Sequence, residues 1–173
     1  GVEKKTNQDV YISGTAEANT KVSANLLTIG LANVSAFVGY NGIGLQLADV
    51  DLAIALWSEV VVAPAVARKW TSVMASVGSA SFEGVDGLTM ALTSAGIVIN
   101  KSAVDGSVVD YVVGEGESEA TELTVQVGPS DSVTFAIDDA NGNYMQVTGS
   151  ATIDLFGFVS VSGSFGVEKK SGQ

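Results

Sequence analysis

The feature that most limits the fold is a regular alternation of side-chain character from Val147 to Val167. Every odd-numbered position is apolar or glycine, and most even-numbered positions are Thr, Ser or Asp. A period of two residues indicates β-structure, because successive strand side chains point to opposite faces, whereas an amphipathic helix needs a period near 3.6. The stretch exceeds an ordinary strand of about 3–10 residues. It therefore predicts very long strands, or one alternation continuing around bends at Gly149, Gly157 and Gly163.

A second alternation runs from Val10 to Leu26, with mostly apolar residues on one face and polar residues on the other. Its phase slips near Leu26-Leu27, which predicts a β-bulge or a corner in that region. Residues 60–77 are the one stretch with helical potential, but Pro64 and the Val-rich flanks limit the expected helix to one or two turns. Further strands are predicted over residues 45–56, 71–82, 88–92, 97–99, 108–113, 123–127, 133–137 and 144–147.

Four Asx-Gly dipeptides separate these segments. Each supplies two residues that tolerate positive φ, as the type I′ turn of a β-hairpin requires. Hairpins favour antiparallel pairing, although Asx and Gly also turn the corners of solenoids. The dipeptides are Asn41-Gly42, Asp86-Gly87, Asp105-Gly106 and Asn141-Gly142.

The pentapeptide Gly-Val-Glu-Lys-Lys occurs at residues 1–5 and again at 166–170, a spacing of 165 residues (166 − 1). We interpret residues 1–173 as one unit of a tandem array with this period. Residues 1–5 are then the tail of the preceding repeat. Because the second copy ends the clearest strand of the chain, the pentapeptide marks a junction between units. Residues 1–5 should pack as a stub in a place that the previous repeat would fill.

A shorter internal repeat supports a stacked architecture. Residues 37–54 are echoed by residues 82–99 at an offset of 45 (82 − 37), with matching Phe, Gly and Leu positions. Repeat periods of about 20–50 residues are typical of solenoids and stacked arrays. The predicted fold is all-β: an elongated, solenoid-like stack of strands with Gly bends and Asx-Gly turns. The alternative is a two-sheet antiparallel β-sandwich.

Charge and composition exclude several function classes. The net charge of −11 disfavours binding to nucleic acid and to anionic membranes. No apolar run reaches the roughly 18 residues of a membrane span. The absence of Cys and His excludes disulfides, thiolate zinc sites and His-based catalytic triads. Since the carboxylates are also dispersed, we predict that the chain is not an enzyme.

Acidic side chains offer candidate cation ligands in two places. The first resembles a fragment of a calcium loop, without the downstream bidentate Glu of an EF-hand, and a simple turn is the competing interpretation. The second is Asp49 and Asp51 on one face of a predicted strand, for which two solvated strand residues that discourage edge pairing are the competing interpretation. The dense acidic patch with Glu115, Glu117, Glu119 and Glu122 is interpreted as a solvated loop. The candidate metal ligands are Asp138, Asp139, Asn141 and Asn143.

Aromatic residues interrupt the polar face of the clearest strand at Phe156 and Phe158. With Trp57 and Trp70 they could form a surface that stacks on a glycan or a partner. Alternatively, a neighbouring repeat covers this face, and the aromatics hold consecutive units together. Under that second interpretation, the inter-repeat contacts are Phe156, Phe158, Phe165 and Val167.

Two segments resemble sequences that recur in very large, repetitive bacterial proteins. One spans residues 153–169, and the other spans residues 42–56 and is followed by Arg68-Lys-Trp-Thr-Ser. Some of these proteins resemble giant adhesins or secreted RTX-like polypeptides. The resemblance covers roughly residues 40–170. It implies a location outside the cell or on the bacterial cell surface, and it carries no catalytic residues.

The predicted function is a structural repeat module that extends a giant surface or secreted protein, or a filament, end to end. Its predicted partners are neighbouring repeats, by self-assembly, with no nucleic acid and no membrane insertion. The alternative is a glycan- or calcium-binding module of an adhesin. No cofactor is predicted apart from calcium in that alternative.

Overall fold

The structure, a computed structural model, describes residues 1–14, 17–114 and 117–171. Strands dominate these ranges, which contain one short 3-10 turn, η1, and no α-helix. No helix in them has the length and apolar character that crossing a bilayer requires. The elements are β1 (Val2–Gly14), β2 (Glu17–Tyr40), β3 (Ile43–Glu59), β4 (Lys69–Glu83), β5 (Leu88–Lys101), β6 (Val108–Val109), β7 (Thr124–Gln126), β8 (Ser132–Thr134), η1 (Asp139–Asn141), β9 (Asn143–Leu155) and β10 (Val159–Ser171).

Eight strands form one sheet in the order β10-β9-β5-β4-β3-β2-β1-β6, and β7 pairs with β8 in a second, two-stranded sheet. All pairings between the described strands are antiparallel. The all-β prediction is confirmed, and the arrangement is compatible with the two-sheet alternative. A solenoid-like stack is not confirmed within this chain, because its long strands follow one another as hairpins of a single sheet.

The alternation from Val147 to Val167 continues across a hairpin. Strands β9 and β10 pair from Leu155 opposite Val159 to Asn143 opposite Ser171 without a register shift. The chain reverses at Phe156-Gly157, where φ is 55° and 70°. The bend predicted at Gly157 is therefore confirmed, whereas Gly149 and Gly163 lie inside paired strands. The separately predicted strands 88–92 and 97–99 are parts of one strand, β5.

The irregularity predicted near Leu26-Leu27 lies directly beside the doublet, in the pairing of β1 with β2: the register shifts between Lys5, opposite Leu26, and Gln8, opposite Ala24. Leu26 and Leu27 pair in regular register with Lys5 and Lys4. The leucine doublet itself reflects a sheet with apolar residues on both faces: Leu26 is buried on one face, and Leu27 is half-buried on the other, paired with Leu56.

Further irregularities of β2, in its pairing with β3, come later and belong to a line that crosses the sheet. Asn33 and Asp49, in neighbouring strands, have φ of 54° and 53°. In β4 the line passes Gly78, where an added Cβ would lie 2.8 Å from the Asp49 Cβ. In β5 it meets a register shift between Leu92 and Ser94. This line separates the half of the sheet that carries the core from the half that ends in the three hairpin tips.

The hydrophobic core lies on one face of the half of the sheet that is away from the hairpin tips. Residues 102–142 cover this face. A sheet buries such a face only when another layer covers it, and here β7, β8 and their connections form that layer. The sheet contributes Val10, Ile12, Ala24, Leu26, Ala53, Ala55, Trp57, Trp70 and Tyr144, and the covering segment contributes Ala103, Val109, Tyr111, Leu123, Val125, Val127, Phe135 and Ile137.

Both tryptophans lie in this core. Trp57 is 4% exposed and Trp70 is 1% exposed, so the proposed glycan-stacking surface that includes them does not form. Their indole N–H groups donate to Tyr111 Oη and Ser107 Oγ, at 2.9 Å and 3.0 Å. Sequence alone did not reveal this burial, because a tryptophan on a half-buried strand is compatible with either face.

The internal repeat corresponds to two equivalent hairpins. Residues 37–54 form the tip of β2–β3, and residues 82–99 form the tip of β4–β5. Asn41 and Gly42 have φ of 50° and 78° and close the first tip, as a type I′ turn requires. Asp86 and Gly87 lie in the second tip. Asn141 and Gly142 do not form a hairpin; they end η1, with Gly142 as its C-cap.

Candidate functional site

The outer strand of the sheet, β10, is exposed along its whole length. Each of its residues is exposed to solvent, and among the described residues no strand pairs with its outer edge. An unpaired edge of this length is a template for pairing with another strand. Apolar side chains also lie open on it, namely Val159, Val161, Phe165 and Val167.

The predicted inter-repeat contact residues lie on β10 and on the hairpin before it. Phe156 and Phe158 occupy the tip, and Phe158 is 91% exposed. Phe165 lies opposite Gly149 of β9, and its ring fills the space beside that glycine: a Cβ at Gly149 would lie 2.7 Å from Phe165 Cζ. Gly149 thus accommodates an aromatic ring from the edge strand.

A second unpaired edge lies at the other side of the sheet. Strand β1 runs beside β2 only as far as Gly1, which exchanges backbone hydrogen bonds with Gly30. Strand β2 continues to Tyr40, and among the described strands none lies beside residues 31–40 on that side. Large side chains are exposed there: Leu31, Phe37, Val38 and Tyr40.

The two copies of the pentapeptide lie in these two edge strands. Residues 1–5 belong to β1 and face β2, while residues 166–170 belong to β10 and face β9. The sequence similarity also extends further than five residues: Thr6-Asn7-Gln8 corresponds to Ser171-Gly172-Gln173. Asn7 has φ of 52° at a β-bulge, a conformation that Asn and Gly tolerate best, and the corresponding residue is Gly.

In the first copy of the pentapeptide, the backbone N–H and C=O groups of successive residues point to opposite edges of β1. Gly1 donates to Gly30 O and accepts from Gly30 N at 2.7 Å, so both of its backbone groups face β2. In an antiparallel pair this direction alternates along the strand. Glu3 therefore also faces β2, while Val2 and Lys4 direct their N–H and C=O groups to the outer edge.

In the second copy of the pentapeptide, the residues that bond to the neighbouring strand are those whose counterparts in the first copy face the open edge. Leu155 O accepts from Phe158 N at 3.0 Å on the β10 side, and Phe156 N donates to Gly87 O at 2.5 Å on the β5 side. Odd-numbered residues of β9 therefore bond to β10. Their odd-numbered partners in β10, which include Val167 and Lys169, bond to β9. The residues left with backbone groups on the open edge are Gly166, Glu168 and Lys170.

The side-chain faces of the two copies also agree. Paired residues of neighbouring strands share a face, so one row of partners shows which face each edge presents. Glu3 begins this row and Lys170 ends it, so both side chains lie on the core face. Lys5, two residues after Glu3, lies on the same face, as does its counterpart Lys170. The row consists of Glu3, Thr28, Ala55, Ser72, Asn100, Tyr144 and Lys170.

A separate group of carboxylates lies where the covering segment meets the sheet. Carboxylate oxygens of Asp110, Glu117 and Asp139 lie within 4.8 Å of one another. Asp110, directly after β6, is fully buried, and Asp139 is buried in η1. Asp110 Oδ1 accepts from Val112 N at 3.1 Å. Asp110 Oδ2 is buried and has no hydrogen-bond partner among the described residues.

Burial raises the pKa of Asp110 to about 7, and the charges of Asp139 and Glu117 add to the rise. The N–H groups of Val112 and Asp139 oppose it by stabilising the carboxylate. Three carboxylates this close repel one another unless a proton or a cation neutralises part of their charge. The group can therefore hold a proton at Asp110 or bind a cation through oxygen ligands.

The residues predicted as metal ligands have different positions. Asp138 caps η1 by accepting from Ala140 N at 2.8 Å. Asn141 donates to Asp138 O at 3.3 Å, and Asn143 donates to Ser171 Oγ at 3.0 Å. Asp139 belongs to the carboxylate group. Sequence reasoning missed its partner Asp110, whose signal was an acidic residue directly after the apolar pair Val108-Val109.

The acidic stretch from Glu115 to Glu122 is only partly a solvated loop. Glu117 accepts from Gly114 N at 2.7 Å and belongs to the carboxylate group, while Glu119 accepts from Tyr11 Oη at 2.5 Å. Glu115 lies outside the described residues. The stretch therefore contributes one carboxylate to a buried group.

Comparison of the chain with protein-family models, with curated proteins and with solved structures finds no match.

Proposed function

We propose that the chain is a structural repeat module that extends a longer protein end to end, with a period of 165 residues (166 − 1). Consecutive copies share one strand: β10 of one copy continues as β1 of the next. One observation carries this proposal. The two copies of the pentapeptide bond through opposite backbone edges, so a single strand can satisfy both pairings at once.

In the proposed array the sheet continues without a gap. The shared strand has β9 of the first copy on one side and β2 of the second copy on the other. The first residue of β9, Asn143, lies opposite Ser171, which corresponds to Thr6 of the next copy, so β9 does not extend beyond this point. Strand β6 pairs with β1 further along, at Ile12 and Ser13. The two neighbours therefore occupy successive parts of the same edge without competing.

The shared strand also covers the second unpaired edge. Residues 159–165 of the first copy would precede Gly1 of the second and lie beside residues 31–40 of its β2. Their apolar side chains, with those of β2, would then be enclosed between neighbouring strands. The whole array would then be an elongated stack of strands, as the sequence predicts, with the sheet of each unit continuing into the next.

The setting we propose is a large protein outside the cell or on the bacterial cell surface, whose partners at each junction are copies of the same unit. A net charge of −11 per unit favours repulsion between separate arrays. Internal pairing of strand edges removes the aggregation hazard that open edges carry. The glycan-binding alternative loses its main aromatic candidates, because Trp57 and Trp70 are buried.

Amide hydrogen exchange on a two-copy chain, residues 1–165 followed by residues 1–173, tests the proposal. Val2 and Lys4 face an open edge in the single unit, so their amides should exchange rapidly there. In the second copy of the two-copy chain the same amides should be protected by β9 of the first. Equal exchange rates in both chains would mean that the units do not share a strand.

The parent gene supplies an independent check. The proposal requires further copies of this sequence at a spacing of 165 residues (166 − 1). Flanking sequence without such copies would overturn the tandem arrangement itself, whatever the exchange experiment shows.

A further inference from the structure

We propose that Asp110, Glu117 and Asp139 form a binding site for a divalent cation of the calcium class. This site is independent of the tandem arrangement and lies within a single unit. It differs from the loop that the sequence suggested, sharing only Asp139 with it.

The geometry of the oxygen atoms fits one ion. Calcium binds oxygen ligands at about 2.3–2.6 Å, so two ligands on opposite sides of it lie up to about 5 Å apart. The three carboxylates offer oxygens within 4.8 Å of one another.

The buried Asp110 Oδ2 is the observation that points to a ligand. It is inaccessible to solvent and has no hydrogen-bond partner among the described residues, whereas its companion Oδ1 accepts from Val112 N. A buried carboxylate oxygen without a partner is destabilising, because no hydrogen bond offsets the loss of its hydration. A cation bound by the same three residues would remove that cost and neutralise their mutual repulsion.

The ligand chemistry limits which ion fits. Carboxylate oxygens suit hard cations such as calcium, magnesium and manganese, while zinc and copper sites in proteins usually include imidazole or thiolate ligands. The chain contains no His and no Cys. Calcium is the best match because it tolerates irregular geometry and partial hydration.

A cation here would join two parts of the covering layer. Asp110 follows β6 and donates its N–H to Tyr11 O of β1 at 3.0 Å, and Asp139 lies in η1 immediately before β9. Glu117 lies in the connection between β6 and β7. One ion would therefore fix the layer that closes the core at the point where the chain returns to the sheet.

Calcium titration of the chain after treatment with a chelator tests the site. We expect isothermal calorimetry to show one calcium site per chain, and calcium to raise the melting temperature. Extracellular calcium modules bind at about 10⁻⁴–10⁻³ M, so a titration to about 10 mM covers the range. Glu117→Gln, in a surface connection, should fold normally and weaken binding at least tenfold.

Two further variants complete the test. Asp110→Asn should abolish binding, because it removes the buried carboxylate. The fold should stay intact, since the variant leaves no buried charge to be neutralised. Asp86→Asn removes an equal charge at an exposed hairpin tip and should bind calcium as the unaltered chain does. Flat calcium titrations of the unaltered chain would overturn the site, and so would unchanged binding by Asp110→Asn. Stronger binding of magnesium than of calcium would overturn the assigned ion class.

Discussion

The indole nitrogen of Trp57 donates to the hydroxyl of Tyr111 at 2.9 Å, and this bond joins the sheet to the segment that covers it. The Tyr111 hydroxyl in turn donates to Ser72 Oγ at 2.9 Å, and Ser72 donates to Asn100 Oδ1 at 3.0 Å. Asn100 Nδ2 donates to Val109 O at 2.7 Å. The buried polar groups of three strands are thus satisfied through one chain of hydrogen bonds, which fixes the register of the covering layer.

Removing the Tyr111 hydroxyl should destabilise the chain. In Tyr111→Phe the buried Trp57 N–H and Ser72 hydroxyl each lose a partner, and leaving buried groups unsatisfied costs about 1–3 kcal/mol. Urea unfolding monitored by tryptophan fluorescence measures this loss. Tyr40→Phe is the matched control, because its ring is exposed at a hairpin tip, and it should change stability by less than about 0.5 kcal/mol. Equal effects of the two variants would contradict a structural role for the network.

Proline substitutions should reveal the opposite edges of the two pentapeptide copies. Proline lacks an N–H, so it is costly where that group bonds to a neighbouring strand and tolerated on an open edge. In β1, Glu3→Pro should reduce the free energy of unfolding by about 1 kcal/mol or more, whereas Lys4→Pro should cost less.

In β10 the more costly of the two proline substitutions should be the one at the other position. Lys169→Pro, at the position of Lys4, breaks a bond to β9, whereas Glu168→Pro, at the position of Glu3, does not. Amide exchange of β9 measures how far each variant loosens the strand. If Glu168→Pro and Lys169→Pro expose β9 equally, the deduced edge directions are wrong.

An ion pair closes the loop between β3 and β4 and should make stability depend on acidity. Arg68 Nη2 lies 2.6 Å from Glu59 Oε1, and Arg68 Nε donates to Glu59 Oε2 at 2.9 Å. These bonds hold the pKa of Glu59 below its ordinary value of 4.5. Glu59 therefore contributes stability above pH 4.5, and this contribution is lost as the pH falls through the lowered pKa.

Glu59→Gln should lower stability at neutral pH by about 1 kcal/mol, since the partly buried Arg68 loses the nearer of its two charged partners and keeps only Asp105, at 3.3 Å. The difference from the unaltered chain should shrink as the pH falls, because protonation has the same effect. Urea unfolding at several pH values measures this convergence. A difference that stays constant down to pH 3 would show that the ion pair does not control the acid dependence.

Gly149 and Gly163 offer a matched pair within one hairpin. An alanine at Gly149 would meet the Phe165 ring, whereas an added Cβ at Gly163 would have no atom within 4 Å. We expect Gly149→Ala to destabilise the β9–β10 hairpin by about 1–3 kcal/mol, as overpacking does, and Gly163→Ala to be neutral or slightly stabilising. Limited proteolysis of β10 would report the loosening. Adding Phe165→Ala to Gly149→Ala should relieve only part of the clash, because the added Cβ also lies 2.9 Å from the backbone oxygen of Ser94. No recovery at all in the double variant would show that the ring contributes nothing to the loss.

Most of the local structure could be predicted from the residues alone. The period of two from Val147 to Val167 excludes a helix wherever it occurs, because side-chain direction alternates in every strand. Asn41-Gly42 turns the chain because both residues tolerate positive φ. Such properties depend on a few neighbouring residues, so they survive in any fold that keeps these segments extended.

The faces of the sheet and the carboxylate group depended on tertiary structure. Leu26-Leu27 suggested a bulge, but a sheet with two apolar faces accommodates both leucines in regular register. Asp110 and Asp139 are far apart in the sequence, and only the path of the covering segment brings their oxygens together. No local pattern encodes such a contact, because it depends on how loops of variable path close over the core.

The pentapeptide combines both kinds of information. Its recurrence at residues 1–5 and 166–170 is a property of the sequence, and it predicts a junction without saying how the junction is made. Only the tertiary structure decided that the two copies lie in the two outer long strands of one sheet, with the same side-chain face and opposite backbone edges in use. The physical reason is that hydrogen-bond direction alternates along a strand, so the edge left open depends on which strand lies beside it.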